Sequence, residues 1–152
     1  MGFLPVIDNK FIKDDYLETY STSGVHLIAG TTLDEYKLWS TFHPRISKND
    51  EQYITRRLSK MFELSKLPEL ISAYSDYLKI NDLGEIYSAI LTDICFGIPT
   101  HKTLQKKEGS SFGYLFSTQS EILRGKLGCF HASELPYVFG AVSYTHLTLP
   151  TS

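Results

Sequence analysis

Two short apolar runs, separated by a long stretch of helical pattern, constrain the fold of this chain most. The first run is VHLIAGTT at residues 25–32, and the second is FGYLFS at residues 112–117. Runs that are apolar throughout, without alternation, are typical of strands covered on both faces. Strands that are joined by a long helical connection usually pair in parallel. The pattern therefore predicts an α/β fold with two sheet strands and intervening helices.

The stretch between the two runs predicts helices from the spacing of its apolar residues and from its capping residues. Four are expected, over 49–64, from Pro68 to about Leu78, from Asn81 or Asp82 to Gly97, and from Pro99 to about Lys107. Asn49 is placed to cap the first of them, with Gln52 three residues further on. Gly97 and Pro99 are residues that commonly end a helix. A further short helix is expected at 132–139, after the second strand.

Composition excludes several classes of protein. The formal net charge is −2 and the 15 Lys and Arg residues are dispersed, which argues against nucleic acid as a partner. No apolar run approaches the roughly 18 residues of a membrane span, so no membrane partner is expected. Cys95 and Cys129 are expected to be free core thiols, although a disulfide between them remains an alternative. Two strands are too few for an independent sheet, so the chain is expected to be part of a larger domain.

Ionisable residues follow each predicted strand. Asp34 and Glu35 come directly after the first strand, and His131 lies in a loop after the second. In open α/β sheets, functional sites lie outside the carboxyl ends of the strands. An acid followed later by a histidine is the order found in α/β-hydrolases, where a nucleophile precedes both. Taken alone, these residues are more typical of exposed turn carboxylates and of an ordinary histidine than of a catalytic site.

Four segments in order carry a more specific resemblance. FLPVID at 3–8, GTTLDE at 30–35, ILTDICFGIP at 90–99 and HASELPYVFG at 131–140 are similar to consecutive motifs of the type-B carboxylesterases. That family includes cholinesterases and bacterial para-nitrobenzyl esterases. Two positions differ from its pattern, since Asn9 and Tyr36 stand where glycine is common. Asn9 still suits a left-handed turn.

The resemblance implies an α/β-hydrolase fold and hydrolysis of a small carboxylic ester through an acyl-enzyme, with no metal or organic cofactor. Glu35 matches the family's triad acid and His131 its triad base. Glu134 lies at an acidic position of the same motif. It either supports the triad or only stabilises the start of the following helix through the helix dipole. The four other histidines lack metal-ligand spacing with acids or thiols. Trp39, Tyr137 and Phe139 are expected in the core, with a substrate wall as the alternative.

The nucleophile has no counterpart in this sequence. The string GSSFG at 109–113 fits G-x-S-x-G by its letters, but it leads into the second predicted strand. Ser110 and Ser111 therefore lack the elbow between a strand and a helix that the nucleophile needs, and no glycine-rich oxyanion segment is present. The family carries both elements upstream of the region seen here. Residues 1–141 are therefore expected to be the C-terminal part of the domain, inactive without the missing N-terminal part. The alternative is a non-catalytic adhesion relative of the family, which an upstream serine motif would exclude.

The last residues, 142–152, differ in character from the rest. VSYTHLTLPTS has no counterpart in the family pattern and resembles translated sequencing-adapter sequence from assemblies of environmental DNA. We expect a non-native tail produced by read-through. The alternative is a genuine strand with polar and apolar residues in alternation.

Overall fold

The computed structural model describes residues 7–12, 25–107 and 109–141, so the expectations for 142–152 and for most of FLPVID lie outside the described residues. The elements in chain order are β1 (Leu27–Thr32), α1 (Lys37–Phe42), α2 (Glu51–Leu58), a 3₁₀ turn (Leu64–Lys66), α3 (Leu67–Leu78), α4 (Leu83–Thr92), a π-helical segment (Asp93–Gly97), α5 (Ile98–Lys106), β2 (Ser111–Phe116) and α6 (Leu135–Val138). None of the helices in these ranges is long and apolar enough to cross a bilayer.

The two predicted strands form and pair in parallel. The register runs from Leu27 opposite Ser111 to Thr32 opposite Phe116. Helix α5 packs on one face of this sheet, where the Leu104 side chain lies over Gly113. On the opposite face Ile28 is 72% exposed and its register partner Phe112 is 60% exposed. Helix α5 covers only part of its face, since Leu115 on that face is still 59% exposed. The burial of both faces that the apolar runs indicate belongs to a complete sheet, and bare faces are expected for two strands of a larger domain.

The helices enclose the hydrophobic core. Its buried members are Ile46, Ile54, Leu58, Leu67, Ile86, Tyr87, Ile90 and Leu91. Helix α4 supplies four of the eight, since its apolar residues face α2 on one side and α3 on the other. The apolar residues whose spacing predicted α3 are only partly buried. Tyr77, at the end of this helix, is 84% exposed. Aliphatic side chains of this kind contribute roughly 1.5–3 kcal/mol each when fully buried, so this cluster dominates the stability of the described part.

The start of α2 differs by one residue from the prediction. Asp50, and not Asn49, is the N-cap, and its carboxylate accepts from the Tyr53 N–H. Asn49 has a φ of 55°, whereas an N-cap residue needs extended backbone. Its side-chain oxygen instead accepts from the Gly84 N–H at 2.6 Å, which ties the start of α2 to the start of α4. The helix also ends at Leu58, earlier than the prediction.

The predicted break at Gly97 and Pro99 was wrong. The chain stays helical from α4 through the π-helical segment into α5. Gly97 keeps a helical φ of −61°, and Pro99 lies in the first turn of α5. A proline lacks the N–H that an interior helical position needs, but the first turn leaves that donor unused. The π-helical segment leads directly into α5, so the proline stands where its missing N–H costs no hydrogen bond and the helical backbone continues. Asp82 is the N-cap of α4, as predicted.

The prediction of free thiols is confirmed for both cysteines, and the prediction of a core position is confirmed only for Cys129. Both thiols are free, but Cys129 is buried whereas Cys95 is exposed on the π-helical segment. Asn9 adopts a φ of 57°, as expected for a residue in a glycine position. It stands in a turn in which the Asp8 carboxylate accepts from the N–H groups of residues 10–12.

Candidate functional site

Two turns meet beyond the carboxyl ends of β1 and β2, and they bring Glu35 and His131 together. One carboxylate oxygen of Glu35, Oε1, accepts from the Thr32 N–H at 2.7 Å. The other, Oε2, lies 2.6 Å from Nδ1 of His131. Glu35 is 5% exposed, so its carboxylate is fixed inside the protein by these two contacts. The residues that match the family's triad acid and base are therefore in contact, as a triad requires, while their catalytic role stays a prediction.

The turn that carries Glu35 is held by a residue from a distant helix. The Tyr36 N–H donates to Oγ1 of Thr92, at the end of α4, over 3.0 Å. Tyr36 is the N-cap of α1 but has no capping side chain of its own, so Thr92 satisfies one of the free donors at that helix start. Helix α1 was not predicted, because a helix of six residues has little periodicity and this cap comes from elsewhere in the sequence. Burial raises the pKa of Tyr36 to about 12, so its phenol stays neutral.

The turn that carries His131 reverses sharply on both sides of it. Gly128 has a φ of 58° and Ala132 a φ of 65°. Between them Cys129 is fully buried, and its thiol donates to the Phe116 carbonyl at 2.9 Å. Burial raises the pKa of the Cys129 thiol, which keeps it in the protonated form that can donate. The loop is therefore attached to the end of β2 two residues before His131.

Two aromatic rings flank His131. The Trp39 ring centroid lies 5.1 Å from that of the imidazole, and the Phe96 centroid lies 5.3 Å away. Trp39 and Phe96 stack on each other at 6.2 Å with an interplanar angle of 15°. Trp39 comes from α1, which was not predicted. Phe96 comes from the π-helical segment, where the sequence predicted the end of an ordinary helix. The imidazole therefore has an apolar surface beside it, and its side chain remains 44% exposed.

The prediction that all three aromatic residues of this region belong to the core was wrong. Trp39 is 44% exposed and Phe139 is 77% exposed. Tyr137 is half-buried and packs against Phe116, with ring centroids 5.2 Å apart. Short helices such as α1 and α6 have one covered side at most, so their other aromatic residues face outward.

Glu134 lies at the start of α6, three residues after His131. It occupies the N-cap position, but its side chain makes no capping hydrogen bond. One of its oxygens, Oε2, is buried without a hydrogen-bond partner among the described residues. The structure shows no hydrogen bond from Glu134 to Glu35 or His131. A supporting role for Glu134 therefore stays a prediction.

The serines closest to the expected nucleophile pattern lie far from this pair. Ser111 begins β2 and its hydroxyl donates to the Leu104 carbonyl, whereas His131 follows the other end of that strand. A strand of this length spans roughly 20 Å. Neither Ser110 nor Ser111 can therefore exchange a proton with His131. Within the described ranges, no three His, Cys, Asp or Glu side chains group in a way that could hold a metal ion.

Comparison with known proteins identifies the group to which this arrangement belongs. The sequence matches the Carboxylesterase family over residues 1–151. The chain belongs to the carboxylesterase family. It is 29% identical over 160 residues to bile salt-activated lipase of Mus musculus, a match that covers 92% of the chain and 27% of that protein. The bovine lipase (Bos taurus) is 30% identical over 167 residues with the same two shares. The lipase of Homo sapiens is 27% identical, and 21% of it is covered.

This carboxylesterase-family chain spans about a quarter of the length of the curated relatives it matches, since the covered share is 27% in mouse and cattle. Membership of the family implies an α/β-hydrolase fold. The helices and the two parallel strands are consistent with a part of that fold.

Proposed function

We propose that this chain supplies the acid and the base of a serine carboxylesterase triad, within the C-terminal part of an α/β-hydrolase domain. Glu35 is the acid and His131 the base. The observation that carries the proposal is the 2.6 Å contact between Glu35 Oε2 and His131 Nδ1 at the carboxyl ends of two parallel strands. The nucleophilic serine and the oxyanion donors come from the preceding part of the same domain.

The contacts of Glu35 account for the direction of proton transfer. Oε1 already accepts a hydrogen bond from the Thr32 N–H, so Oε2 remains available for His131. Oε2 accepts a hydrogen bond from the protonated Nδ1 of that ring. That hydrogen bond leaves the lone pair on Nε2, the nitrogen that faces away from Glu35. Nε2 then removes the proton of a serine hydroxyl as the oxygen attacks the ester carbonyl. It returns this proton to the departing alcohol, and water later releases the acid from the acyl-enzyme by the same route.

The surroundings of the pair favour a neutral, partly apolar ester. Trp39 and Phe96 form an apolar surface next to the imidazole, and no metal or organic cofactor is needed for this chemistry. The relatives compared above are bile salt-activated lipases, a name that describes action on lipids. The non-catalytic alternative, an adhesion domain, has no need of a buried carboxylate aimed at a histidine. The retained pair therefore argues for the esterase.

A hybrid enzyme tests the proposal. The segment of the mouse bile salt-activated lipase that this chain matches is replaced by the chain, and hydrolysis of a para-nitrophenyl ester is measured. We expect the hybrid to hydrolyse the ester and His131→Gln to lower kcat by about 10⁴-fold or more. His101→Gln, on α5, is the matched control and should keep the rate. A folded hybrid whose rate is unchanged by His131→Gln would show that His131 is not the base.

The chain by itself should lack this activity. Without a serine at Nε2, no acyl-enzyme can form, so we expect no burst of para-nitrophenol and no stoichiometric labelling by a serine-reactive phosphonate. Stoichiometric labelling of Ser110 or Ser111 would contradict the proposed division of the triad.

A further inference from the structure

Two hydrogen bonds from a single residue connect the turn of Glu35 to the loop of His131. The Asp34 N–H donates to the Cys129 carbonyl at 2.9 Å. The Cys129 N–H donates in return to Oδ2 of Asp34 at 2.8 Å. Asp34 directly precedes the acid, and Cys129 lies two residues before the histidine. The two segments are thus joined at one point, although they are 95 residues apart in the sequence.

The absence of a side chain at Gly128 lets the Asp34 carboxylate come close to the backbone of the His131 loop. A Cβ at Gly128 would collide with Oδ2 of Asp34, so any larger residue would displace the carboxylate. The positive φ of 58° at Gly128 is also a conformation that glycine adopts without strain. Steric room and backbone conformation therefore demand glycine at the position that faces the Asp34 carboxylate.

The end of β2 completes the junction. The Phe116 carbonyl accepts both from the Leu33 N–H at 2.9 Å and from the Cys129 thiol at 2.9 Å. The acid turn, the histidine loop and the strand end therefore share hydrogen bonds within a few residues. Of these groups, the Asp34 carboxylate is the only charged one, and hydrogen bonds to charged groups are roughly twice as strong as those between neutral groups.

His131 depends on this junction for its position. Its side chain is 44% exposed, and Glu35 is its hydrogen-bond partner within the described residues. The loop around it contains left-handed turns at Gly128 and Ala132, so its course is not set by regular secondary structure. A shift of the Cys129 backbone would be passed on through Phe130 to the imidazole. A displacement of about 1 Å is enough to lose a hydrogen bond of this length.

We propose that Asp34 is a positioning residue of the triad, whose carboxylate holds the Cys129 amide so that Nδ1 of His131 meets Glu35. The two hydrogen bonds between Asp34 and Cys129 are called the clamp. Its consequence for ester hydrolysis rests on the proposed function, whereas the clamp itself does not. Asp34 touches neither the ester nor the serine in this scheme, and it acts only through the loop of His131.

The full 152-residue chain, labelled with ¹⁵N, provides the test. Two readouts are taken by NMR, the exchange rate of the Cys129 amide and the ¹⁵N signals of the His131 ring. We expect Asp34→Ala to speed exchange of the Cys129 amide by about tenfold or more. The ¹⁵N signals of the two His131 ring nitrogens should then move toward a common average, because the imidazole is no longer held on Glu35. Asp34→Asn should restore both readouts, because its amide oxygen can still accept from the Cys129 N–H. Asp76→Ala removes an exposed carboxylate of α3 and is the matched control.

Several outcomes would overturn the inference. One is an Asp34→Ala chain that keeps its far-ultraviolet circular dichroism while the Cys129 amide and the His131 ring remain as in the parent. Another is loss of the ring signal in a folded Asp34→Asn chain. If Asp34→Ala does not fold, Gly128→Ala tests the contact from the other side, since it directs a methyl group at the carboxylate. A folded Gly128→Ala chain with an undisturbed His131 ring would also contradict the proposal.

The hybrid enzyme separates this inference from the proposed function. Asp34→Ala should lower kcat and leave KM nearly unchanged, because binding of the ester does not involve the clamp. A hybrid that needs His131 but not Asp34 would overturn the positioning role alone. A hybrid that hydrolyses the ester without His131 would overturn the proposed function, whatever the NMR readouts show.

Discussion

The helices around α4 enclose a core of buried apolar residues, and the sheet does not. Ile54, Leu58 and Ile90 in the helical core are completely buried. In the sheet, Ile28 and Phe112 are more than half exposed on the face opposite α5. Both regions are apolar in sequence, so the difference lies in what covers them. Three helices can enclose a core among themselves, whereas two strands leave one face for other elements to cover.

The proposed site lies where these two regions join. Glu35 follows β1 and is held by Thr32 of the strand, while Thr92 of the helical core binds the next residue along the turn. The acid is thus supported by the better-packed region. His131 lies on a loop connected to the strand end, and is half-exposed. The geometry of the pair therefore depends on contacts between the better-packed helical region and the less enclosed sheet region.

The largest contrast is expected from one substitution made in each region. Ile54→Ala should reduce the free energy of unfolding by about 2–5 kcal/mol, because it opens a cavity in a closely packed core. Ile28→Ala, at a position 72% exposed, should cost about 0.5 kcal/mol or less. Urea unfolding followed by circular dichroism measures both. Equal losses at the two positions would show that the sheet is enclosed in solution.

A glycine pair tests the two faces of the sheet. A Cβ at Gly30 would collide with the carbonyl and ring of Tyr114, which lie across it. Gly30→Ala should therefore cost about 1–3 kcal/mol. Gly113→Ala is the matched control, because a Cβ there meets the end of the flexible Leu104 side chain at 3.0 Å and otherwise makes only an ordinary contact with the Ala29 carbonyl at 3.9 Å. Thermal unfolding should give Gly30→Ala a clearly lower midpoint temperature than Gly113→Ala. The reverse order would mean that α5 covers the sheet more tightly than described.

Substitutions on the exposed face of the sheet, opposite α5, should have the smallest effect on the free energy of unfolding. They should have a clear effect on association between copies of the chain. Replacing Ile28 and Phe112 together by threonine keeps residues suited to strands, so the free energy of unfolding should change by less than about 1 kcal/mol. The pair forms an apolar patch on an open sheet, which favours association between copies. Light scattering should show less self-association in the double variant, and no change in the control Tyr77→Gln. A parent chain that is already monomeric would contradict this prediction.

The sequence predicted what depends on local pattern. Both strands, the helical spacing around Ile54 and Ile90, and the cap at Asp82 follow from periodicity and residue type. The approach of Glu35 and His131 followed from the order of motifs. What it missed depends on distant contacts. Asn49 bonds to Gly84, Thr92 caps the turn at Tyr36, and neither partner is close in sequence.

Two further features had no local signal. The π-helical segment carries Phe96 to the imidazole, and a pattern of apolar spacing does not distinguish a π turn from an ordinary helix end. The clamp between Asp34 and Cys129 joins two turns that meet only because the strands pair in parallel. Turn carboxylates are common, so no local pattern singled out Asp34 as the hydrogen-bond partner of the Cys129 amide.

The tautomer of His131 tests the central claim most directly. In the parent chain, Nδ1 should carry the proton and Nε2 the lone pair, as Glu35 Oε2 requires an N–H donor at 2.6 Å. In Glu35→Gln the amide oxygen should stay on the Thr32 N–H, so the amide NH₂ turns toward Nδ1 and forces the proton onto Nε2.

The measurement is the ¹⁵N spectrum of the histidine rings at mildly alkaline pH, where free imidazole is neutral. It is recorded for the parent, for Glu35→Gln and for the control Glu69→Gln, whose glutamate is exposed on α3. We predict that the two ring signals of His131 exchange their character in Glu35→Gln and remain as in the parent in Glu69→Gln. An identical His131 spectrum in the parent and in a folded Glu35→Gln chain would contradict the claim that Glu35 orients this histidine.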